Sequence, residues 1–508
     1  MINYTPLVRA FMARRVAASR HWRGIGIAKT QLRQLRWLTR AGASTKYGKL
    51  YGIRKTADYD AFRDAVPVAP YAELRPWVMR MVAGEADVLW PGVCRRFAQS
   101  SGTSDGKSKY IPVTDISLHV NHYRGAGDAV AHYLRNNPHS RMFAGKGFIL
   151  GGSFANELTL PPDVRVGDLS ANLIEAINPL VNVMRVPDKQ IALMADWRQK
   201  LPALVNASVH QAITNLSGVP SWFLEVLRQV LATTGAQSIH DVWPNLEVFF
   251  HGGISMEPYR SQYAEITDPT RMHYVETYNA SEGFFAVQDL PDPGSMLLLL
   301  DAGVFYEFVP LDEADATDPQ HAVGAWEVRE GKTYALLITA ANGLWRYPIG
   351  DTVRIVSADP LRIAVAGRTK HFINAFGEEV MVHNTDAALS QACAACNCSA
   401  LNYTVAPVFS DMHSGVRRGR HQWLVEWNTP PADRAAFEKI LDNALQQLNS
   451  DYQAKRSGGI FLDNLTVTDA RRGLFDDWLA STGKLGGQRK VPRLQNDRNL
   501  ITDLLKMQ

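Results

Sequence analysis

The stretch SSGTSDGKSKYIPVT, residues 100–114, combines glycines, hydroxyl side chains and lysines directly after a short strand pattern. Ser101, four intervening residues and the GKS of 106–108 come one substitution short of the G-x-x-x-x-G-K-[ST] phosphate loop of NTPases. That loop needs a helix that begins at its Lys-Ser pair, because the helix amides hold the phosphates. Here KYIPVT is strand-like and the next helix signal is the cap at Asp115. The context excludes a Walker-type NTPase.

What remains is a loop of small residues that lets backbone amides and hydroxyls approach phosphate oxygens. An ordinary surface turn with two lysines has the same composition. The stretch alone leaves both interpretations open, so the rest of the chain has to decide between them.

Composition indicates a large globular protein. The 508 residues are 46% hydrophobic and 20% charged, so we expect two or three domains. The longest apolar runs, such as MLLLLDAGVF from Met296, fall short of the roughly 18 to 20 residues of a membrane span. The N-terminus lacks the apolar core of a signal peptide, which predicts a cytoplasmic protein. The cluster Cys393-x-x-Cys396-x-Cys398 is expected to pack helices rather than to bind a metal.

The beginning of the chain is strongly basic. Thirteen Lys and Arg residues precede Asp58, the first acidic residue, and the rest of the chain carries a net charge of −9. Such a segment can contact nucleic acid or an anionic membrane surface. The spacing of Leu32, Leu35 and Leu38 instead favours an amphipathic helix. Its solvated flank would carry Arg33, Arg36 and Arg40. We therefore expect no nucleic acid and no membrane as a partner.

Hydrophobic periodicity divides the chain into segments of different structure. Helical patterns dominate residues 5–42 and 59–83. Residues 114–245 mix helical segments with strand-like pieces such as GKGFILGGSF, which indicates α/β layering. Short strand patterns dominate residues 246–370. A second mixture of helices and strands follows, and it predicts a smaller α+β domain attached by a hinge near 367–371.

Three further motifs stand where strand patterns end. TYNASEG covers residues 277–283, WRYPIGD covers 345–351 and AGRTKHFINAFGEE covers 366–379. Each alone is compatible with a plain turn. Together with SSGTSDGKSKYIPVT, however, they resemble the adenylate-forming superfamily, which includes acyl-CoA synthetases, luciferases and the adenylation domains of peptide synthetases. The chain is most similar to the auxin-responsive Gretchen Hagen family of acyl-acid amido synthetases. It has YNASE where plant members have YASSE, and YPIGD where they have YRVGD.

This resemblance covers nearly the whole chain and implies a fold and a reaction. The fold is α/β, with a large N-terminal adenylate-forming domain of mixed β-sheets and helices at 1–367. A hinge at 368–371 and a smaller mobile α+β C-terminal domain at 372–508 follow. The reaction couples a carboxylic acid to AMP, with pyrophosphate leaving, and then transfers the acyl group to an amine such as that of an amino acid. The implied cofactors are ATP and Mg²⁺.

The motifs also imply roles for individual residues. The triphosphate would be bound by Ser100, Ser101, Gly102, Thr103, Ser104 and Lys107. Lys107 or Lys109 would close over the pyrophosphate. Glu282 would position Mg²⁺, since a hard cation prefers oxygen ligands.

The nucleoside would be held by the later motifs. Tyr278 would stack on the adenine, in a pocket lined by His251, Gly252 and Gly253 and flanked by Asn279 and Ser281 of the same motif. Asp351 would accept both ribose hydroxyls, and Arg368 would reach the ribose or the α-phosphate. A tyrosine of the core and an ordinary surface glutamate are the alternatives for Tyr278 and Glu282.

The smaller domain of the superfamily swings between an adenylating and a transfer arrangement. Lys370 stands where the superfamily places its hinge residue. Lys490 in GGQRKVPR is the candidate for the lysine that contacts the reacting carboxylate, with Lys484 as the alternative. Plant members carry a lysine shortly after the arginine-containing strand, where this chain has Glu378 and Glu379, so its role is unassigned here.

The acyl-acid site is predicted from weaker signals. Tyr123 and Arg124 stand about where plant members read the acid, although a core tyrosine and a salt-bridged arginine fit the same pattern. We expect a monomer that acts on a small-molecule carboxylic acid and an amino acid. The alternatives are an acyl-CoA ligase with the same adenylation step, and a non-catalytic protein that binds through its basic N-terminal helices.

Overall fold

The computed structural model describes most of the chain. It covers residues 2–53, 58–104, 107–156, 158–253, 256, 259–291, 294–311, 321–368, 372–373, 380–408, 419–449, 452–453, 456, 462–482, 490–495 and 497–508. For residues 100–104, 107–108, 221, 367–368 and 372 it describes the backbone only.

Helices form where the sequence pattern predicts them in the N-terminal part. The helices of the described ranges are α1 (Thr5–Ser19), α2 (Ile25–Gly42), α3 (Lys46–Leu50), α4 (Tyr59–Ala65), α5 (Tyr71–Val82), α6 (Asp115–Ser117), α7 (Tyr123–Asn136), α8 (Leu169–Glu175), α9 (Pro179–Asn182), α10 (Lys189–Ala192), α11 (Trp197–Ser208), α12 (Pro220–Thr234), α13 (Ile239–Val242), α14 (Arg260–Ile266), α15 (Val382–Ala395), α16 (Arg434–Leu448), α17 (Leu474–Ser481) and α18 (Asn499–Lys506). A π-helical turn, Leu118–His122, joins α6 to α7. Thr114 caps α6 by accepting a hydrogen bond from the amide of Ser117, one residue before the cap expected at Asp115. None of these helices is long and apolar enough to cross a bilayer.

Strands dominate the middle of the chain, as predicted. The strands of the same ranges are β1 (Arg96–Ser104), β2 (Lys107–Pro112), β3 (Lys146–Ile149), β4 (Arg165–Gly167), β5 (Arg185–Val186), β6 (Ile213–Gly218), β7 (Val248–Gly252), β8 (His273–Ala280), β9 (Gly283–Val287), β10 (Met296–Leu298), β11 (Val304–Pro310), β12 (Val323–Gly324), β13 (Thr333–Ala340), β14 (Tyr347–Ala358), β15 (Leu361–Arg368), β16 (Phe372–Ile373), β17 (Val380–Met381), β18 (Ser399–Val408), β19 (Arg420–Thr429) and β20 (Thr466–Ala470).

One large mixed sheet organises the N-terminal part. Its 12 strands run in the order β12-β11-β13-β14-β15-β10-β9-β8-β7-β6-β3-β5. At one end of the sheet, the neighbours β5, β3, β6, β7 and β8 pair in parallel. Antiparallel pairs join β8 to β9, β9 to β10 and β10 to β15. Antiparallel pairs also join β12 to β11, β11 to β13 and β13 to β14. The parallel part confirms the α/β layering expected from the sequence. Ligands of such sheets bind at the carboxyl ends of the parallel strands, which here include β7 and β8.

The stretch that opens the motif series forms a β-hairpin rather than the expected loop. β1 pairs antiparallel with β2 from Phe97 opposite Pro112 to Ser104 opposite Lys107. β1 also pairs in parallel with β4, which completes a three-stranded sheet. The register shifts between Ser100 and Thr103, so residues 101–102 form an irregular segment within the strand. The strand predicted after Lys107 is confirmed as β2.

The chain divides into two compact units. The larger unit contains the described residues of Met1–Gly253 and Thr267–Val365, and the smaller one those of Ile254–Ile266, Ala366–Leu485 and Arg489–Gln508. In the larger unit α2 has the predicted amphipathic form. Leu35 and Leu38 are buried, and the arginines of the opposite side are exposed.

The smaller unit is an α+β body in which β18, β19 and β20 form a sheet. Cys398 is buried in its core, and Cys393 and Cys396 pack against that core, as expected. The sequence pattern does not predict β18. The helix predicted through residue 456 is interrupted, because α16 ends at Leu448 and residues 452, 453 and 456 are again helical. Asn449 is extended, and its side chain accepts a hydrogen bond from the amide of Tyr452, which caps the start of the second helical stretch.

Candidate active site

The carboxyl ends of β7 and β8 lie side by side. His251 and Gly252 pair with Glu276 and Thr277, and the carbonyl of His251 accepts a hydrogen bond from the Thr277 hydroxyl at 3.0 Å. A Cβ atom on Gly252 would lie 2.4 Å from the Thr277 carbonyl oxygen, so only glycine fits between the strands. Gly253 follows with a φ of +80°, a conformation that favours glycine. Gly252 therefore lets β7 approach β8 closely, and Gly253 lets the chain turn away where β7 ends.

Tyr278 and Asp351 form a buried hydrogen bond at the same edge. The Tyr278 hydroxyl donates to Oδ2 of Asp351 at 2.6 Å, and both side chains are largely buried. The Tyr278 ring contacts Phe285, with 5.1 Å between ring centroids. Asp351 follows Gly350, which has a φ of +88°. This hydrogen bond joins YNASE to YPIGD, two motifs 73 residues apart.

Glu282, Tyr347 and Lys109 form a second cluster. The Tyr347 hydroxyl donates to Oε1 of Glu282 at 3.3 Å and accepts from the Lys109 ammonium at 3.2 Å. Burial, and secondly the Glu282 carboxylate, raise the pKa of Tyr347 well above its usual value, so its hydroxyl stays protonated and donates. Lys109 belongs to β2, so the cluster connects the hairpin to both later motifs.

The backbone around this cluster is held by buried polar contacts. The Asn342 amide donates to the Glu282 carbonyl at 3.0 Å. Arg346, next to Tyr347, has a φ of +41° and forms an ion pair with Glu307 at 2.9 Å, both side chains being buried. Its guanidinium also donates to the carbonyls of Arg63 and Val66. These contacts hold a residue in a conformation that a non-glycine rarely adopts.

Of the other predicted site residues, two follow Tyr278 in the same motif, and several are described by their backbone only. Asn279 is the next-to-last residue of β8, and its side-chain oxygen accepts a hydrogen bond from the Thr277 hydroxyl at 3.3 Å. Ser281 stands in the turn to β9. Only the backbone is described for Arg368 and for the residues of the hairpin, Ser100, Ser101, Gly102, Thr103, Ser104 and Lys107.

The three lysines of the predicted mobile part differ in what the structure says of them. Lys370 and Lys484 lie outside the described residues. Lys490 belongs to the smaller unit, where it is half-buried. Their roles stay predictions.

Tyr123 and Arg124 begin α7 and contact the surrounding backbone. The Tyr123 hydroxyl donates to the Leu173 carbonyl at 2.8 Å, and burial raises its pKa to about 12. The Arg124 guanidinium donates to the Asp301 carbonyl at 2.8 Å. Such contacts fit side chains that stabilise the fold, which is the alternative interpretation of both residues. Their role in binding the acyl acid stays a prediction.

Sequence reasoning missed the bridging role of Tyr347 and the anchoring role of Arg346. Both stand inside WRYPIGD, so the signal was present in the motif, but the pattern gave no partner for either side chain. Among the described residues no group of three or more His, Cys, Asp and Glu side chains could hold a metal ion.

Comparison with known structures shows the fold. The AtGH3.15 acyl acid amido synthetase in complex with 2,4-DB superposes with a TM-score of 0.78 at 17% identity, over 97% of this chain and 95% of that one. A 2-hydroxyisobutyryl-CoA ligase in complex with 2-HIB-AMP gives 0.60 at 13% identity, over 94% and 90%. The predicted α/β adenylate-forming fold is confirmed.

Comparison of sequences shows the family. The jasmonoyl–L-amino acid synthetase GH3.5 of Oryza sativa subsp. japonica is 22% identical over 65% of this chain and 68% of its own length. The indole-3-acetic acid-amido synthetase GH3.3 of Arabidopsis thaliana is 23% identical over 91% and 88%. For other curated relatives the chain spans about two thirds of their length. Profiles of the GH3 family match its N-terminal domain at residues 26–272, its central domain at 297–368 and its C-terminal domain at 383–499. The chain therefore belongs to the GH3 family, the family that its motifs resemble.

Proposed function

We propose that the protein is an ATP-dependent acyl-acid amido synthetase. It converts a carboxylic acid and ATP into an acyl-adenylate and pyrophosphate, and then transfers the acyl group to the amine of an amino acid. Family membership supports this reaction, since relatives are named jasmonoyl–L-amino acid synthetase and indole-3-acetic acid-amido synthetase. The observation in this chain that carries the proposal is the 2.6 Å hydrogen bond between Tyr278 and Asp351, because it joins two nucleotide motifs in one buried site.

The nucleoside is proposed to bind at the ends of β7, β8 and β14. Asp351 accepts the ribose hydroxyls, and an ionised carboxylate has lone pairs for these as well as for the Tyr278 hydroxyl. Tyr278 covers the adenine, with His251, Gly252 and Gly253 lining the pocket. Arg368, at the end of β15, reaches the ribose or the α-phosphate.

The triphosphate is proposed to bind along the hairpin. The irregular segment 101–102 supports this role, because a strand irregularity leaves amides turned away from the regular ladder. Lys107 or Lys109 would stabilise the charge that develops on the departing pyrophosphate.

Glu282 is the proposed protein ligand of Mg²⁺. This ion binds through one or two carboxylates together with substrate phosphates, which fits a single glutamate beside the hairpin. When bound, the ion would neutralise part of the triphosphate charge. Tyr347 orients Oε1 of Glu282 by its hydrogen bond of 3.3 Å. In this proposal the protein holds one carboxylate oxygen of Glu282 in the orientation that the ion requires.

The second half of the reaction follows the family resemblance. Residues 368–371, with Lys370, would be the hinge between domains 1–367 and 372–508, and Lys490 would contact the reacting carboxylate during adenylation. Tyr123 and Arg124 would face the acyl acid. The amine of an amino acid attacks once deprotonated, so a nearby histidine or carboxylate suffices as base. We propose a cytoplasmic monomer without a nucleic-acid partner.

Exchange of labelled pyrophosphate into ATP tests the first step. The protein should show exchange that depends on Mg²⁺ and on one class of carboxylic acid from a panel of aromatic and aliphatic acids. Protein that binds ATP but shows no exchange with any acid would refute the proposal. If exchange is present, adding amino acids or coenzyme A separates the amide former from an acyl-CoA ligase, because the two products differ in mass.

A further inference from the structure

The first helix exposes an apolar face. Leu7 and Phe11 of α1 are 70% and 57% exposed, and the small side chains on the same side, such as Ala10, are also exposed. Residues three and four positions apart share one side of a helix, so these side chains form one surface. The opposite side is the one that the fold covers, since Val16 is buried there. α1 therefore has a second apolar face that no part of the described chain covers.

Arginine accompanies this apolar face. The Arg14 guanidinium lies over the Phe11 ring, 4.1 Å from its centroid. Two further apolar side chains of the N-terminal segment, Ile2 and Ile25, are 69% and 89% exposed. An exposed aromatic ring beside a guanidinium is an arrangement that suits the boundary between an apolar and a charged phase.

The second helix exposes a basic face. Lys29, Arg33, Arg36 and Arg40 of α2 follow one another at intervals of three or four residues and are all exposed. No Asp or Glu precedes Asp58, so acidic side chains of this segment do not neutralise them. The rest of the chain has a net charge of −9, which concentrates the positive potential at the N-terminal helices.

Both helices are anchored to one turn of the larger unit. Arg15 of α1 binds the Asp301 carboxylate at 2.8 Å. Gln31 of α2 donates to the carbonyls of Leu300 and Val304 at 2.8 and 3.1 Å. Both anchors use inner side chains of their helices, so the apolar face of α1 and the basic face of α2 both lie on the outside of the larger unit.

We propose that these two faces bind the surface of an anionic phospholipid bilayer. Leu7 and Phe11 would enter the boundary between headgroups and acyl chains, and the cationic side chains of α2 would bind headgroup phosphates. This is a peripheral contact and not a span. It departs from the expectation of no membrane partner, because the pattern of α2 on which that expectation rests carries no information about α1.

Two other occupants fit the surface less well. A nucleic acid would match the basic face of α2 but would leave Leu7 and Phe11 in water. A second copy of the chain, related by a two-fold axis through this surface, would bring two basic faces into contact. The like charges of the two faces would then repel each other. An anionic bilayer satisfies both the apolar and the basic component.

Co-sedimentation of the full chain with vesicles tests the proposal. We expect binding to phosphatidylcholine vesicles that contain about one third phosphatidylglycerol to be at least about tenfold stronger than to pure phosphatidylcholine vesicles. Raising the salt to about 0.5 M should remove most of the difference, because surface charges are then screened.

Two double variants separate the components. Leu7→Ser with Phe11→Ser removes the apolar part, and Arg33→Glu with Arg36→Glu reverses charge. Each should weaken binding about tenfold or more. The control Arg141→Glu with Lys439→Glu makes the same change in net charge at exposed sites elsewhere and should bind like the unmodified protein.

Several results would overturn the proposal. One is equal or no binding to both kinds of vesicle by folded protein. Another is an equal loss of vesicle binding in the control variant, because binding would then depend on the net charge of the protein and not on α2. A dimer that dissociates in Leu7→Ser with Phe11→Ser, without vesicle binding, would assign the face to a second copy. Binding of duplex DNA without vesicle binding would assign it to nucleic acid.

Discussion

Arg346 and Tyr347 are neighbours in WRYPIGD, yet their side chains serve different parts of the molecule. Arg346 forms a buried ion pair with Glu307 and donates to the carbonyls of Arg63, in the last turn of α4, and of Val66, directly after that helix. Tyr347 places its hydroxyl between Lys109 and Glu282. One residue holds the start of β14 in the fold, and the next orients the carboxylate proposed to bind Mg²⁺.

The difference teaches how a motif can combine stability and function. The ion pair is buried, so removing one partner is costly. The Tyr347 hydroxyl is neutral and makes two single hydrogen bonds, so its removal is mild for the fold. Substitutions at these neighbours should therefore separate folding from ligand binding, and residues assigned to the ligand should behave like Tyr347.

Replacing Arg346 by Met should have the largest effect. The Glu307 carboxylate would stay buried without its guanidinium, and the free energy of unfolding should fall by about 3–5 kcal/mol. Urea unfolding of the larger unit measures this. The exposed Arg36→Met is the matched control and should change it by less than about 0.5 kcal/mol. Adding Glu307→Leu to Arg346→Met should recover part of the loss. A loss below about 1 kcal/mol in Arg346→Met would contradict the structural role.

Lys490→Ala should affect catalysis without affecting the fold. If Lys490 stabilises the reacting carboxylate, pyrophosphate exchange should slow about 10²- to 10³-fold while the Kd for ATP changes little. Exchange kinetics and calorimetric titration with ATP measure the two quantities. Lys439→Ala, an exposed lysine of the same unit, serves as control. Unchanged exchange in Lys490→Ala would move the assignment to Lys484.

Asp351→Asn should weaken ATP binding about 10- to 100-fold, because hydrogen bonds to a charged acceptor contribute about 1.5–3 kcal/mol. Binding of 2′-deoxy-ATP makes the test specific for the ribose. The unmodified protein should prefer ATP over the deoxynucleotide, and the variant should lose most of that preference. An undiminished preference in Asp351→Asn would place the ribose elsewhere.

Tyr347→Phe should have the smallest effect. It removes one hydrogen bond to Glu282, so the Mg²⁺ concentration that half-saturates ATP binding should rise about fivefold, or about 1 kcal/mol. The hydroxyl also binds Lys109, so the ATP affinity without metal is measured in both proteins and the Mg²⁺ dependence is compared relative to it. Tyr306→Phe removes a buried hydroxyl that bonds only to backbone carbonyls in the described contacts and should leave the Mg²⁺ dependence unaltered. An equal shift in both variants would show a general loss of stability.

Much of the fold could be predicted from the sequence because its local patterns are strong. The helices within 5–42 and 59–83, the strands within 246–370 and the amphipathic form of α2 follow directly from periodicity. The β-hairpin could not be predicted, since its glycines and serines are typical of a loop. Its first strand also pairs through residues 96–98 with β4, a long-range contact. Such pairing is set by tertiary structure.

The candidate site was predictable in its motifs but not in its contacts. YNASE and YPIGD located Tyr278, Glu282 and Asp351. One hydrogen bond joins Glu282 to Tyr347 across 65 positions, and another joins Tyr278 to Asp351 across 73 positions. A single sequence does not show which residues so far apart in the chain come into contact. For the same reason Tyr347 could be quoted within a motif without a role.

Identification of the product tests the central claim most directly. The protein would be incubated with ATP, Mg²⁺, a library of carboxylic acids, a mixture of amino acids and coenzyme A, and the products identified by mass spectrometry. We predict AMP, pyrophosphate and an N-acyl amino acid, all dependent on one class of acid. A coenzyme A thioester without any amide would contradict the proposed function.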